Sequence, residues 1–375
     1  MNHARRAHTA SLLIDGKVLV TGGFDNGPIK SVELYNSSVD TWTIITTWCK
    51  TAAMNHARRA HTASLLIDGK VLVTGGFDNG PIKSVELYNS SVDTWTIITS
   101  MNVARGEHTA SVLENGNVLV TGGLAKSDFL DSAEFYDLST ETWIITANMS
   151  SPRGEHVASI LPNGNVLITG GYGNGQWLNS AELYDPLIET WTNTSSMNIA
   201  RSEHTSSVLA NGKVLVTGGH ISRNALHSVE LYDPSGEIWT TIGNMSTSRY
   251  MHTASVLLNG KVLIAGGMNS NGSLNSAELY DLVSDTWTMT GSMNQKRWKH
   301  TATLLSNGKV LVTGGADHNN LNSAELYDPI TETWMFIDNM NHIRYEHTAT
   351  ILKNGQVFVI GGSVGTMALN STELY

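Results

Sequence analysis

A Gly-Gly pair recurs eight times along the chain, beginning at Gly22, Gly75, Gly122, Gly170, Gly218, Gly266, Gly314 and Gly361. Successive pairs lie 53, 47, 48, 48, 48, 48 and 47 residues apart. Each closes a short apolar, β-branched run such as Lys-Val-Leu-Val-Thr at 213–217. A period near 48 is too long for the 33- and 34-residue helical repeats. It leaves room for four short strands and their turns.

Three other elements keep a fixed offset from the pair. An Arg-x-x-His element opens each repeat, from Arg5/His8 to Arg344/His347, with its His 14 residues before the pair. A Glu stands two residues before a Tyr, from Glu33/Tyr35 to Glu373/Tyr375. A Trp follows that Tyr by seven residues in the first seven repeats, Trp42 to Trp334, and repeat eight stops before its own. The boundaries are 1–53, 54–100, 101–148, 149–196, 197–244, 245–292, 293–339 and 340–375, taken as one domain over 1–375. Residues 1–46 recur unchanged as 54–99, and the join from Thr47 to Ala53 is irregular, holding Trp48 and the single cysteine, Cys49. Met1 matches a Met internal to every later repeat, and the last repeat stops midway, so we expect a piece of a longer chain.

Each repeat reads as four strands. His-Thr-Ala-Ser-Val-Leu is the first. An Asn-Gly or Asp-Gly dipeptide follows in all eight repeats, the strongest short hairpin signal, and predicts a type I′ turn. Strand two is almost wholly apolar and β-branched, as expected of a strand buried on both faces. The Gly pair ends it, where close backbone approach is expected. A loose loop leads to strand three, Ser-Ala-Glu-Leu-Tyr-Asp, whose period of two puts Ala and Leu on one face and Glu and Tyr on the other. Strand four centres on Thr-Trp-Thr. Low charge, 15%, and 35 Gly against 7 Pro suit short strands and tight turns.

Four antiparallel strands repeated radially make a β-propeller. With a Gly-Gly after an apolar strand and a Tyr and a Trp at fixed offsets, the whole chain resembles the kelch repeats. The resemblance implies an all-β, kelch-type propeller. Eight repeats predict eight blades, with seven as the alternative if the identical first copy is not a true blade. The missing fourth strand of repeat eight is expected from residues outside the sequence, or else that blade stays three-stranded.

Features present in every repeat cannot mark one special site, so the motif Arg, His, Glu, Tyr and Trp are read as scaffold. Each Glu is expected to be satisfied by an Arg or His of its own or a neighbouring repeat, with Glu182 and Arg201 as the pair to test. Trp191→Ala should cost about 3–5 kcal/mol if that ring is fully buried.

Function is sought in the residues that do not repeat. They fall in the loop between strands two and three and in the dipeptide inside Arg-x-x-His, which emerge at the same end of an up-and-down blade. The dipeptides run from Arg in repeats one and two, through Glu in three to five, to aromatics in six to eight, a lopsided face. Loop aromatics such as Phe24, Phe77 and Tyr172 read either as interface anchors or as local covers of blade ends. The candidate partner-binding set is Arg59, Glu107, Phe129, Glu155, Tyr172, Trp177, Glu203, His220, Arg223, Tyr250, Trp298, Lys299 and Tyr345.

The remaining signals mostly exclude. A net charge of −10 argues against nucleic acid. No apolar run approaches 18 residues, so no membrane span is expected. There is no Cys-x-x-Cys, His-Glu-x-x-His, phosphate loop or Gly-x-Ser-x-Gly, so no metal, cofactor or catalytic residue is expected. The six histidines outside the motif, His3, His56, His220, His227, His318 and His342, are scattered over several repeats. Seven Asn-x-Ser/Thr sequons fit secretion but also the Asn- and Ser-rich turns, and leave cytoplasmic and extracellular sites open. The kelch resemblance implies a non-catalytic module binding a protein partner. Alternatives are glycan binding, a sugar-modifying enzyme similar to the copper-radical galactose oxidases, or a structural module of a larger protein. The copper chemistry needs a Cys-crosslinked Tyr, and Cys49 is the one cysteine.

Overall fold

In repeat five the strand Thr205–Val208 turns back into Val214–Thr217, which pairs with Val229–Asp233, and that with Ile238–Ile242. The same antiparallel order holds in every repeat from two to seven. The computed structural model describes residues 48–375 throughout and, before them, only the strands Thr9–Leu12, Val18–Thr21, Val32–Asn36 and Thr41–Ile45. All described elements are strands.

Strand two is buried at all four positions in every described repeat, as its β-branched run requires. The first hairpin differs from the type I′ turn. Leu209 N–H donates to Lys213 O at 2.8 Å and Gly212 N–H to Leu209 O at 2.9 Å. Gly212 has φ +80°, while Asn211 is not in the left-handed region. This is the three-residue loop closed by a left-handed glycine, with Asn211 accepting from Lys213 N–H at 3.1 Å. The Gly pair is required on two counts. Gly218 and Gly219 have φ +59° and +91°, and a Cβ on them would lie 2.4 Å from Arg249 O and 2.7 Å from Ser202 O. The loop after the pair is not loose in four repeats. It is a two-stranded ribbon, for example Tyr172–Gly173 against Gln176–Trp177.

Contacts divide the chain into two compact units, Lys50–Glu373 and Met1–Cys49 with Leu374–Tyr375. Within the larger, the first strands of repeats two to eight touch in cyclic order, and Thr348–Ile351 of repeat eight returns to Thr62–Leu65 of repeat two. The ring has seven blades, the alternative rather than the eight first expected. Repeat one forms a four-stranded antiparallel sheet of its own.

The eighth repeat is neither three-stranded nor completed from outside the sequence. Its sheet runs Thr348–Ile351, Val357–Ile360, Thr372–Leu374 and then Cys49–Lys50, from the irregular join. Thr51 N–H donates to Thr372 O at 3.3 Å, and Met54 N–H to Asn370 O at 2.9 Å. Elsewhere the Tyr of strand three packs on the Trp of strand four, as Tyr184 on Trp191 at 5.0 Å between ring centroids. Tyr375 has no such Trp in its own repeat and packs on Trp48 at 5.1 Å. At the closing seam Phe358 stands where the other repeats have Leu and stacks on Tyr88 at 4.2 Å.

Candidate functional site: the mouth of the central axis

The motif residues are scaffold, and their connections set the site. Arg153 Nη2 donates to Glu182 Oε1 at 2.7 Å, inside its own repeat, and six equivalent pairs run from Arg58–Glu86 to Arg344–Glu373. Arg201 therefore serves Glu230, not Glu182. Sequence spacing does not distinguish the two, because a strand-three Glu lies between two motif arginines along the chain. The guanidinium also donates to the carbonyls of Gly170 and Ser180, which only the arginine of the same blade can reach. Each motif His reaches the preceding blade instead. His108 Nε2 shares hydrogen bonds with Thr62 and Thr74 at 3.1 and 3.0 Å. Burial first, and the neighbouring Arg second, push all seven described histidines down, His156 to about 3. They are neutral in the folded protein.

The two positions of the variable dipeptide do different work. The first bridges to the residue after its own Gly pair: Arg59 to Phe77, Gly106 to Leu124, Gly154 to Tyr172, Ser202 to His220, Tyr250 to Met268, Trp298 to Ala316 and Tyr345 to Ser363. Both variable segments thus meet at one end of every described blade. The second position turns inward. Ala60, Glu107, Glu155, Glu203, Met251, Lys299 and Glu346 all have φ between +48° and +54°. Their amides link blade to blade around the axis, as Ala60 N–H to Glu346 O at 3.1 Å and Glu203 N–H to Glu155 O at 3.1 Å. Six of these side chains, every one but Met251, line an axial cavity of about 310 Å³, together with His61, His108, His156, His300 and His347. The lopsided face read from the dipeptides mixed an outer ring, Arg, Gly, Gly, Ser, Tyr, Trp, Tyr, with an inner ring, Ala, Glu, Glu, Glu, Met, Lys, Glu.

Charge in the inner ring is uneven. Glu346 accepts from Arg59 at 2.7 Å and from Lys299. Although burial works against its charge, those cations hold its carboxyl low. Across the mouth, burial and then Glu155 push Glu107 up to about 7, and burial and then Glu203 push Glu155 up. Glu203 lies 3.3 Å from His220, which also meets Ser202 at 3.1 Å.

The aromatic candidates are half-buried rather than exposed. Phe129, Tyr172, Trp177, His220 and Tyr250 form a continuous arc, with successive ring centroids 5.5, 5.0, 6.3 and 4.8 Å apart. Trp298 and Tyr345 lie 6.0 Å apart in a second cluster. Some of this packing is local cover. A Cβ on Gly106 would lie 2.1 Å from the Phe77 ring, and one on Gly154 2.8 Å from Phe129. A loop Phe in one repeat thus goes with Gly in the next, a coupling visible in the sequence once register is known. Arg223 is exposed at φ +68°, and His227 is exposed. Phe24 lies outside the described residues.

Among the described residues no Tyr is placed beside a Cys and converging histidines as copper-radical chemistry needs. Cys49 is exposed on the closing strand, while the axial histidines spend Nε2 on threonine hydroxyls. Among the described residues no three His, Cys, Asp or Glu side chains are grouped to hold a metal ion, and no helix is long and apolar enough to cross a membrane.

Comparison with known proteins agrees with this architecture. A family model described as the KLHDC2/KLHL20/DRC7 Kelch-repeats domain matches residues 84–250 and 194–362, and the Kelch motif matches 5–47 and 58–102. No curated protein sequence matches. Among solved structures, a novel fungal alcohol oxidase with catalytic diversity among the AA5 family, in complex with copper, is similar at TM-score 0.73 and 20% identity, over 87% of this chain and 75% of that one. YjhT is similar at TM-score 0.61 and 14% identity, over 77% of this chain and 99% of that one. At those identities the likeness is one of fold. With seven kelch blades in the ring and the family model spanning most of them, this chain belongs to the kelch-repeat β-propeller family.

Proposed function

We propose that this kelch propeller is a non-catalytic module that binds a protein partner at the axial mouth and the loops around it. One observation carries the reading: residues repeated in every blade are consumed in locking each blade and joining it to the next, and those that vary are gathered at one end, around a cavity. Kelch domains generally serve protein interactions, which supports the same assignment. Half-buried aromatic rings beside charged groups are the kind of anchor such interfaces use, since they bring large contact area with little side-chain entropy to lose. Trp177, Trp298 and Tyr345 are the anchors to test. Changing all three to Ala should abolish capture of a partner that the unchanged protein retains, with the melting temperature of the ring preserved. Full retention overturns this face.

The aromatic arc favours glycan stacking as a second reading. A glycan array probed with the same triple variant separates the two, since signal lost on the array without a protein partner supports the sugar.

A further inference from the structure

The inner ring holds more negative charge than it neutralises. Glu107, Glu155, Glu203 and Glu346 face Lys299 and Arg59, and both cations are spent on Glu346. Among the described residues no cation lies within ion-pair distance of Glu107 or Glu155. These two stand on consecutive blades; burial and then Glu155 push Glu107 up, and burial and then Glu203 push Glu155 up, so each is poised to gain from a positive group placed beside it. The cavity wall below adds a second and different signal. His156, His300 and His347 are each 6% exposed and line the cavity, and their Nδ1 atoms have no hydrogen-bond partner among the described residues. In the tautomer whose proton sits on Nε2, facing the threonines, such a nitrogen is a bare acceptor. Acceptors without donors call for a ligand that donates. On the same side, the arc from Phe129 to Tyr250 offers ring faces and edges beside the carboxylates.

We infer that the axial mouth takes a basic side chain, lysine or arginine, of the protein partner, held between Glu107, Glu155 and Glu203. This rests on the protein-binding reading above and sharpens it by naming the chemistry of the contact. An ammonium or guanidinium supplies several donors and no acceptor, which matches the acceptor-only carboxylates. Lys299 already shows that a cation is accommodated in this mouth, and its pairing with Glu346 leaves the Glu107 side open.

The test uses the full chain and three fluorescein-labelled, end-capped glycine-rich peptides that carry three lysines, three arginines or three glutamates. Binding is read by anisotropy at low salt. The mouth variant is Glu107→Gln with Glu155→Gln. A control variant, Glu141→Gln with Glu189→Gln, makes the same charge change at exposed residues in the turns before strand four. The lysine or the arginine peptide should bind the unchanged protein and the control alike, and the mouth variant at least tenfold more weakly; which basic peptide binds tighter identifies the side chain. The glutamate peptide should not bind. Equal weakening in both variants, or no binding by either basic peptide, overturns the inference. A partner lost by the Trp177, Trp298 and Tyr345 variant but kept by the mouth variant sinks the cationic contact and leaves the binding face standing.

Discussion

Arg153 donates to Glu182 at 2.7 Å with both side chains fully buried, and the carbonyl of Arg201, the next motif arginine, accepts from Gly171 N–H at 2.8 Å in the same blade. Each motif arginine therefore spends its side chain on its own blade and its carbonyl on the preceding one. The repeated ion pair locks each blade internally and the arginine carbonyl joins it to the blade before, which is why the motif recurs without marking a functional site.

Breaking that ion pair from one side should cost most. Glu182→Gln or Arg153→Met leaves a buried charge without its partner, and each should lose about 3–5 kcal/mol in urea unfolding. The double variant should lose less than the sum. Glu182→Gln with Arg201→Met should be additive within about 0.5 kcal/mol, since those residues share no hydrogen-bond partner. Coupling in the second pair and not the first would reverse the assignment.

The seven neutral histidines make the ring sensitive to acid. Each titrates near its ordinary value when unfolded and well below it when folded, so unfolding below about pH 6.5 takes up a proton at each. Stability is complete above that pH and falls as pH drops toward the folded values, by about 1.4 kcal/mol per pH unit for each histidine. Glu107 and Glu155 work the other way, since their raised carboxyls favour the folded state as pH falls, but they are two against seven. Urea midpoints measured from pH 7.5 to 5 should fall steeply, and His204→Gln should reduce the slope by about one proton. A flat profile contradicts neutral burial.

Closure depends on the short join. A chain of residues 48–375 keeps Trp48 and the strand Cys49–Lys50, whereas 54–375 loses both. Losing a buried Trp and a strand edge should lower the melting temperature of the shorter chain by roughly 5–10 °C relative to the longer. Equal melting temperatures would mean that the join does not close the ring.

The tryptophans of strand four are not equivalent. Trp239 is 8% exposed, while Trp191 is half-buried, although both donate through Nε1 to a carbonyl 44 residues earlier at 2.8 Å. Trp239→Ala should cost about 3–5 kcal/mol. Trp191→Ala should cost roughly 1–3 kcal/mol, below the figure for a fully buried ring. Calorimetry of the two variants decides the order.

Periodicity determined the blade: four strands, a buried second strand, a Gly pair in close approach, and a Tyr beside a Trp. Those features are local, and their offsets are printed in the sequence eight times over for the Gly pair and seven for the Trp. Recurrence also separated scaffold from candidate site, so Glu107, Glu155, Glu203 and Lys299 were already singled out. Tertiary structure decided everything that depends on which blade meets which. Repeats one and two are identical over 1–46 and 54–99, so no local preference tells which of them opens the ring. The join residues Trp48 to Lys50 have no repeat to belong to until strand Thr372–Leu374 offers an unpaired edge. In the same way, the two dipeptide positions look alike in sequence and part only when the left-handed turn at the second one faces it to the axis, where four carboxylates from four blades converge. That convergence joins residues up to 239 positions apart, Glu107 and Glu346, through ring closure rather than spacing.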